Sequence, residues 1–416
     1  MISYDETGYY LYLPAAFIYK DLGKLAFNPE ITAKYNLSNN AKWYAIYDQP
    51  KTGFKLNKYA VGTSVFQLPF FLIAHVFCCQ KNPYPHDGYS MPYMMAIVFA
   101  NLFWLVLGLA FLRKFLLRYF TDPVTAVTLI LIALGTNLFF YTTFIHGMSH
   151  TYSFAAFSLL LFATERWYST ERKGFAILIG ALLGLIMITR PTNIVVALVP
   201  LLWEYKDGIL KDKIGFYRRQ AGSILFATLA FTAFLMLQLS YWKYVTGDWV
   251  HFSYEGEGFD FLHAQIGNGL FSYRKGWFVF TPIAFLGVLG LLPLMLQNKR
   301  LALNIFIFLG VIVYVVFSWE AWWYGGSFGC RALIEALAIV AIPLAALIQW
   351  LFSKRKLWVD GFLVSVLTFC IYLNFFQSFQ LMACQATWEF NNESFYWQTF
   401  LKYNVTDDDR KLLYQK

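Results

Sequence analysis

Charge and sulfur are both scarce in this chain. Asp, Glu, Lys and Arg make up only 14% of its 416 residues, whereas 58% are hydrophobic. So little charge cannot cover a water-soluble domain of this size, which excludes a soluble globular enzyme. The five cysteines (Cys78, Cys79, Cys330, Cys370 and Cys384) are scattered through apolar sequence, with no CxxC pair and no metal-ligand spacing. That argues against a disulfide framework and for buried, inert thiols. The segment after Met1 has no basic region and turns polar at once, unlike a cleavable signal peptide. Low-complexity tracts and internal repeats are lacking too.

What is present is apolar length. A membrane core of about 30 Å takes roughly 20 helical residues to cross, and about ten stretches approach that. They are Met91–Leu112, Val124–Phe144, Met148–Ala163, Phe175–Ile188, Thr192–Trp203, Ala221–Trp242, Trp277–Leu296, Leu301–Phe317, Leu333–Phe352 and Leu357–Phe379. The sequence therefore predicts an all-α polytopic membrane protein of about ten to eleven transmembrane helices. The net charge of +9 does not indicate nucleic acid, because the basic residues cluster in short loops between apolar runs. Those loops hold Arg113, Lys114 and Arg118; Arg166, Arg172 and Lys173; Lys206, Lys211, Lys213, Arg218 and Arg219; Lys299 and Arg300; and Lys354, Arg355 and Lys356. The positive-inside rule assigns them to the cytoplasm. The alternate loops, with HGMSH, Arg190–Pro191, Lys243–Gly276 and EAWWYGGSFGCR, then lie outside.

Two features complicate this order. Phe175–Ile188 and Thr192–Trp203 are each too short to cross, and ITRPTN joins them, which predicts a break with Arg190 below the outer surface. The run Ala60–Cys79 contains Pro69 and His75, and we expect an interrupted segment lying in the interface. The predicted division is then an external loop with juxtamembrane helices over 1–59, a transmembrane domain over 60–379 and an external tail over 380–416.

Four groups of polar residues meet at the outer face on this topology. The first is Asp5–Glu6. Acidic residues suit a helix N-terminus, so a solvated helix start is the plain reading. Neighbours on a helix diverge, so the two cannot share one proton; one can face a site while the other holds a loop or a metal. The second is His146 and His150, whose spacing places them on one face if helical, suited to a metal or an anion, or simply to an interface. The third is Arg190, since a charge inside a membrane costs about 2.5–3.5 kcal/mol. The fourth is SWEAWWYGGSFGCRAL. There Trp319, Trp322 and Trp323 fit an aromatic belt, the glycines permit a tight turn, and Arg331 begins the next helix where an anion could sit. Lys58 and Tyr59 add polar groups at the same level.

Carboxylates and cations at one water–lipid boundary suit displacement of a lipid phosphate. A carboxylate takes a proton from an attacking hydroxyl or amine, and Arg, Lys, His or a metal stabilises the departing phosphate. The same inventory would serve a transporter or flippase that binds an anion, although the inverted repeats common in such folds are not seen.

The order of these motifs resembles the GT-C superfamily of membrane glycosyltransferases, which includes protein O-mannosyltransferases and lipid A aminoarabinose transferases. YDETGYY looks like the superfamily's first external loop, and NKYAVGTSVFQLPF like the segment after it, with Lys58 and Tyr59 in place of its polar residues. HGMSHTYSF falls at a second external polar position, often acidic in the superfamily and held here by His150. ITRPTN looks like its basic residue between short helices. LFSYRKGWFVFTPIAFLGVLGL and WWYGGSFGCRALIEALAIVAIPL resemble segments of bacterial members of unassigned substrate. The likeness runs from Tyr4 to about Ile348. It implies inverting transfer of a sugar from a polyprenyl-phosphate donor to a glycan, lipid or protein acceptor, outside the bacterial cytoplasmic membrane. Asp5 or Glu6 would be the base. Lys58, Tyr59, His146, His150, Arg190, Trp322, Trp323 and Arg331 would bind substrate and lipid phosphate. A divalent metal on Asp5, Glu6 or His150 stays open, as does an O-antigen ligase or polymerase that consumes a diphosphate-linked donor. Superfamily members carry a transmembrane helix ahead of the acidic loop, so either such a helix is encoded upstream of Met1 or this chain does without it.

Overall fold

A computed structural model describes residues 2–79, 83–203, 210–254, 256–353 and 357–414. The basic-loop residues Lys206, Lys354, Arg355 and Lys356, and the side chain of Lys211, lie outside the described residues. In chain order, α1 (Asp5–Phe17) and α2 (Asn28–Tyr35) precede a hairpin of β1 (Ile46–Gln49) and β2 (Phe54–Asn57). Then come α3 (Gly62–Cys79), α4 (Met91–Leu116), α5 (Asp122–Leu134), α6 (Leu138–Thr143), α7 (His150–Thr170) and α8 (Lys173–Thr189). A 3-10 segment, Pro191–Ala197, leads into α9 (Leu198–Leu202), followed by α10 (Leu210–Arg219) and α11 (Ala221–Thr246). Next are α12 (Ile266–Phe271), α13 (Trp277–Phe280), α14 (Pro282–Leu289), α15 (Leu291–Gln297) and α16 (Lys299–Phe317). The chain closes with α17 (Leu337–Phe352), α18 (Leu357–Met382), α19 (Glu393–Gln398) and α20 (Asp407–Lys411).

The fold is helical and of membrane type, and among the described residues fewer helices reach spanning length than the ten to eleven expected. Among the described residues five helices are long and apolar enough to cross: α3, α4, α11, α16 and the Asp360–Met382 part of α18. Five further apolar helices are shorter: α5, α8, Pro191–Leu202, Pro282–Gln297 and α17. Polar residues and imino acids break the longer runs. Val124–Phe144 is cut at Gly135–Asn137, where the Asn137 amide donates to the Phe328 and Cys330 carbonyls at 3.4 and 3.3 Å. Trp277–Leu296 is three pieces, with Pro282 opening one and Gly290 preceding the next. Ala60–Cys79, in contrast, is not interrupted. α3 runs unbroken through Pro69, and the His75 ring pairs with the Tyr93 hydroxyl at 2.8 Å. A single missing N–H does not end a helix whose neighbours pack well.

The chain forms two compact units. The first comprises Met1–Gly108, Tyr141–Ile194 and Gly208–Gly256. Its tightest seam is α8 on α11. A Cβ at Gly180 would lie 2.0 Å from the Ala227 carbonyl oxygen, and one at Gly184 2.7 Å from that of Phe231. The G-x-x-x-G spacing thus lets two helix backbones touch, as small residues do in membranes. The N-terminal elements are tied to the same ends of these helices. Lys34 and the Tyr35 hydroxyl bind the Asp87 carboxylate at 2.7 and 2.6 Å, ahead of α4. Asn57 N–H donates to the Tyr241 hydroxyl of α11 at 2.9 Å, and the backbone of Gly62 lies against Thr189, the last residue of α8.

The second unit comprises Leu109–Phe140, Val195–Asp207 and Glu257–Lys416. Its centre is α17, buried along nearly its whole length and apolar on every face, as a core helix must be. Gly287 and Gly290 bring α14 and α15 against Val340 and the Pro343 carbonyl. The C-terminal segment is folded onto the end of α18: Gln380 donates to the carbonyls of Thr399 and Lys402 at 2.9 and 2.8 Å. Thr406 and Asp409 close a reciprocal cap on α20.

Candidate functional site

The acidic pair opens α1, and its two carboxylates go separate ways. Tyr4 turns the chain in the left-handed region (φ 47°), and its N–H donates to Ser38 Oγ at 2.7 Å. Asp5 is half-buried, and its Oδ1 accepts from the hydroxyls of Tyr44 at 2.8 Å and Tyr59 at 2.6 Å. The Tyr59 ring reaches this position because residue 8 is glycine; a Cβ there would sit 2.2 Å from the ring. The Asn57 side chain holds the same turn by donating to the Gly8 carbonyl at 2.7 Å. Burial, followed by the charge of Asp5, pushes the Tyr59 phenol above its ordinary value, so the hydroxyl remains a donor.

Glu6 points inward and is buried. Its Oε1 accepts the Gly147 N–H at 2.7 Å and its Oε2 the Ser3 N–H at 3.1 Å. Burial pushes its carboxyl up to about 7, with the two backbone hydrogen bonds opposing. Glu6 thereby pins the HGMSH turn to the start of α1, and Gly147 permits the approach: a Cβ there would lie 2.8 Å from that of Glu6.

This contact corrects the expectation that His146 and His150 share one helix face. The chain from Phe144 to Ser149 is turn, and α7 starts only at His150. His146 is half-buried, and its carbonyl accepts the Tyr152 hydroxyl at 3.3 Å. Burial lowers the pKa of its imidazole, against a hydrogen bond to Thr143. His150 is buried, and its Nδ1 lies 3.1 Å from Arg190 Nη1. A guanidinium only donates, so in this contact Nδ1 is the accepting atom. Arg190 ends α8 in extended conformation (φ −149°, ψ 106°), ahead of Pro191 and a 3-10 turn. The residue before a proline avoids helical geometry, which is why the break falls here. Lys58 stacks its ammonium 4.5 Å from the Tyr254 ring centre, a cation–π contact.

The first unit thus brings together Asp5, Glu6, Tyr59, His146, His150 and Arg190. Both Glu6 oxygens are taken by backbone N–H groups, and His150 Nδ1 faces a guanidinium. No group of three or more His, Cys, Asp or Glu side chains suited to a metal occurs among the described residues.

Trp322, Trp323 and Arg331 lie in the second unit. The Arg274 guanidinium stacks 3.8 Å over the Trp323 ring, and Trp323 Nε1 donates to Glu389 Oε1 at 3.0 Å. Trp322 meets Trp323 edge to face. Tyr324, Gly325 and Gly329 all have positive φ, so the WWYGGSFG stretch is irregular chain. Arg331 does not begin the next helix. It opens a three-residue 3-10 turn, and α17 starts at Leu337, so no helix N-terminus is available there for an anion.

Several site residues were not singled out in the sequence. Tyr44 is one of many tyrosines, and nothing local marks it as the partner of Asp5. Gly147 carried a signal: a glycine between two histidines at a helix start. Lys275 and Glu389 belong to the second unit. The Lys275 ammonium donates to the Ser327 carbonyl and, at 2.7 Å, to that of Trp388. Burial, with Arg331 nearby, pushes its pKa down to about 7.

Neither a family model nor a curated protein matches this chain. Among solved structures, it is similar to the oligosaccharyltransferase AglB of the archaeon Archaeoglobus fulgidus. The apo form of that enzyme aligns over 100% of this chain and 56% of its own, at 11% identity and a TM-score of 0.48. The complex with an inhibitory peptide and a dolichol-phosphate aligns over 89% and 53%, at 11% identity and a TM-score of 0.43. The chain therefore spans about half the length of the structures it matches. A likeness this distant does not bear on activity.

Proposed function

We propose that this chain is an inverting glycosyltransferase. It would take a sugar from a polyprenyl-phosphate donor at the non-cytoplasmic face of a bacterial cytoplasmic membrane and pass it to a glycan, lipid or protein acceptor. The observation that carries this reading is the division of labour in the acidic pair. Glu6 is consumed in holding the HGMSH turn, while Asp5 stays half-exposed, oriented by two tyrosine hydroxyls. A fixed and accessible carboxylate is what a general base requires.

In the proposed reaction the acceptor hydroxyl or amine gives its proton to Asp5, and its oxygen or nitrogen bonds to the anomeric carbon. The bond from that carbon to the phosphate oxygen breaks, and the electron pair leaves with polyprenyl phosphate. Arg190, held against His150 Nδ1, supplies positive charge for the departing phosphate. Tyr59 orients the base, and Lys58 is a further cation on the segment that follows. The order of motifs from Tyr4 onward, which resembles GT-C enzymes, supports the same reading.

The test is Asp5→Asn. Transfer from a polyprenyl-phosphate sugar should fall by about 10²–10⁴-fold, with membrane insertion and thermal stability unchanged. Undiminished transfer would remove Asp5 as the base. Movement of an intact lipid-linked glycan across proteoliposomes, with no covalent product, would overturn glycosyl transfer altogether.

A further inference from the structure

The end of the first unit where α7 turns into α8 carries basic residues that the reaction above does not use. α10 (Leu210–Arg219) belongs to this end and stops one residue before α11 begins at Ala221. α11 is apolar and long enough to cross a membrane, so α10 lies where that crossing starts. The α7–α8 turn reaches the same level. Its Glu171 accepts from Gln220 Nε2 at 3.3 Å and lies 3.6 Å from Arg219 Nη2.

α10 is amphipathic, and its apolar residues meet two different environments. Phe216 is fully buried, its ring centre 4.9 Å from that of Tyr168 and 5.0 Å from that of Trp167 on α7. The Tyr217 and Tyr168 hydroxyls lie 2.8 Å apart. Ile214, about 200° away from Phe216 around the helix, is instead 43% exposed. Arg218 follows Ile214 by one turn, so the two share a face, and Arg218 is exposed as well. Exposed apolar surface continues onto the start of α11 through Leu225 and Phe226. The turns that meet at Glu171 also carry Arg172, Lys173 and Arg219, all exposed, and the Lys173 ammonium lies 3.2 Å over the Phe226 ring. Set against these cations on the same two elements are the carboxylates of Glu171 and Asp212, so positive charge is in excess.

Exposed apolar side chains bordered by cations, at the end of a spanning helix, suit a helix lying in the plane of a bilayer interface. Zwitterionic headgroups would satisfy only the apolar half. Excess positive charge calls for lipids that carry net negative charge.

We propose that α10 and the α7–α8 turn form a docking surface for anionic phospholipid. Ile214 enters the boundary between headgroups and acyl chains, and Arg172 and Arg218 hold lipid phosphates. This goes beyond the glycosyl transfer proposed above and does not rest on it.

Hydrogen exchange of the full chain in lipid nanodiscs, read at the α10 backbone amides by mass spectrometry, tests this. One preparation contains phosphatidylcholine alone, and the other an equal mixture with phosphatidylglycerol. A cation at an anionic surface contributes about fivefold in affinity, so phosphatidylglycerol should slow α10 exchange by about tenfold or more. Arg172→Gln with Arg218→Gln should remove most of that slowing, and Lys at both positions should restore it. Ile214→Gln should speed exchange in both lipids. Faster exchange in α8 and α11 would reveal a disturbed fold in the double variant; Arg218→Gln alone then serves and should lose about fivefold. Equal exchange in the two lipids, or undiminished slowing in the folded Gln variants, overturns the proposal. The same slowing by inorganic phosphate added to phosphatidylcholine nanodiscs overturns it too, because the ligand would then be a free anion.

Discussion

Replacing Glu6 by Gln should reverse its effect on stability as pH changes. The folded chain holds the Glu6 proton up to about pH 7, whereas an unfolded chain releases it near 4.5. The folded state therefore binds more protons across that window, and its stability declines as pH rises from 4.5 to 7. A displacement of about 2.5 units at 1.36 kcal/mol each makes the loss about 3 kcal/mol by pH 8. Gln cannot ionise and escapes it. Its amide oxygen can keep the Gly147 bond, but its NH₂ then faces the Ser3 N–H, which costs about 1 kcal/mol at every pH. The variant should thus be less stable than the parent by about 1 kcal/mol at pH 4 and more stable by about 2 kcal/mol at pH 8, the curves crossing at about pH 5. Thermal unfolding of the detergent-solubilised protein, followed by tryptophan fluorescence from pH 4 to 8, reads this directly. Parallel curves for parent and variant would refute the burial of a titrating Glu6.

Three further outcomes follow from the same geometry. Asp5→Asn should abolish most transfer without lowering the melting temperature, as measured by product formation from a polyprenyl-phosphate sugar. Gly147→Ala should destabilise by about 1–3 kcal/mol through its clash with Glu6; an unchanged melting temperature would show that the turn moves freely. Gly180→Leu should separate α8 from α11, since even a Cβ meets the Ala227 carbonyl at 2.0 Å, and should cost about 3 kcal/mol or more. Retention of full thermal stability in that variant would contradict the seam.

Helices were the legible part of this chain, because long apolar runs between basic loops admit few other structures. Their interruptions were not. Asn137 breaks a run because it can reach two carbonyls near residue 330, and Gly290 separates two helices because the Pro343 carbonyl lies against it. Both causes are distant in sequence. Pro69 shows the converse, a local breaker overridden by packing. The hairpin β1–β2 has only short strands to mark it, and Pro50 and Gly53, the latter at φ 71°, are its local turn residues. Among the candidate site residues, the geometry of Arg190 was readable from the following proline. The partners of Asp5 were not, since Tyr44 and Tyr59 are 39 and 54 residues away. The histidine spacing misled, because it assumed a helix that the Glu6–Gly147 contact forbids.

The α8–α11 seam implies an uneven tolerance of sequence drift. Only 6% of the most apolar window of α11 is buried, so most of that helix meets its surroundings through side chains alone. Those positions need to be greasy but not particular, and one aliphatic residue can stand in for another. Gly180 and Gly184 admit no replacement, because what touches them is backbone. In a saturation library selected for function, the two helices should therefore carry opposite signatures: a long stretch constrained only in character, held by two points constrained in identity.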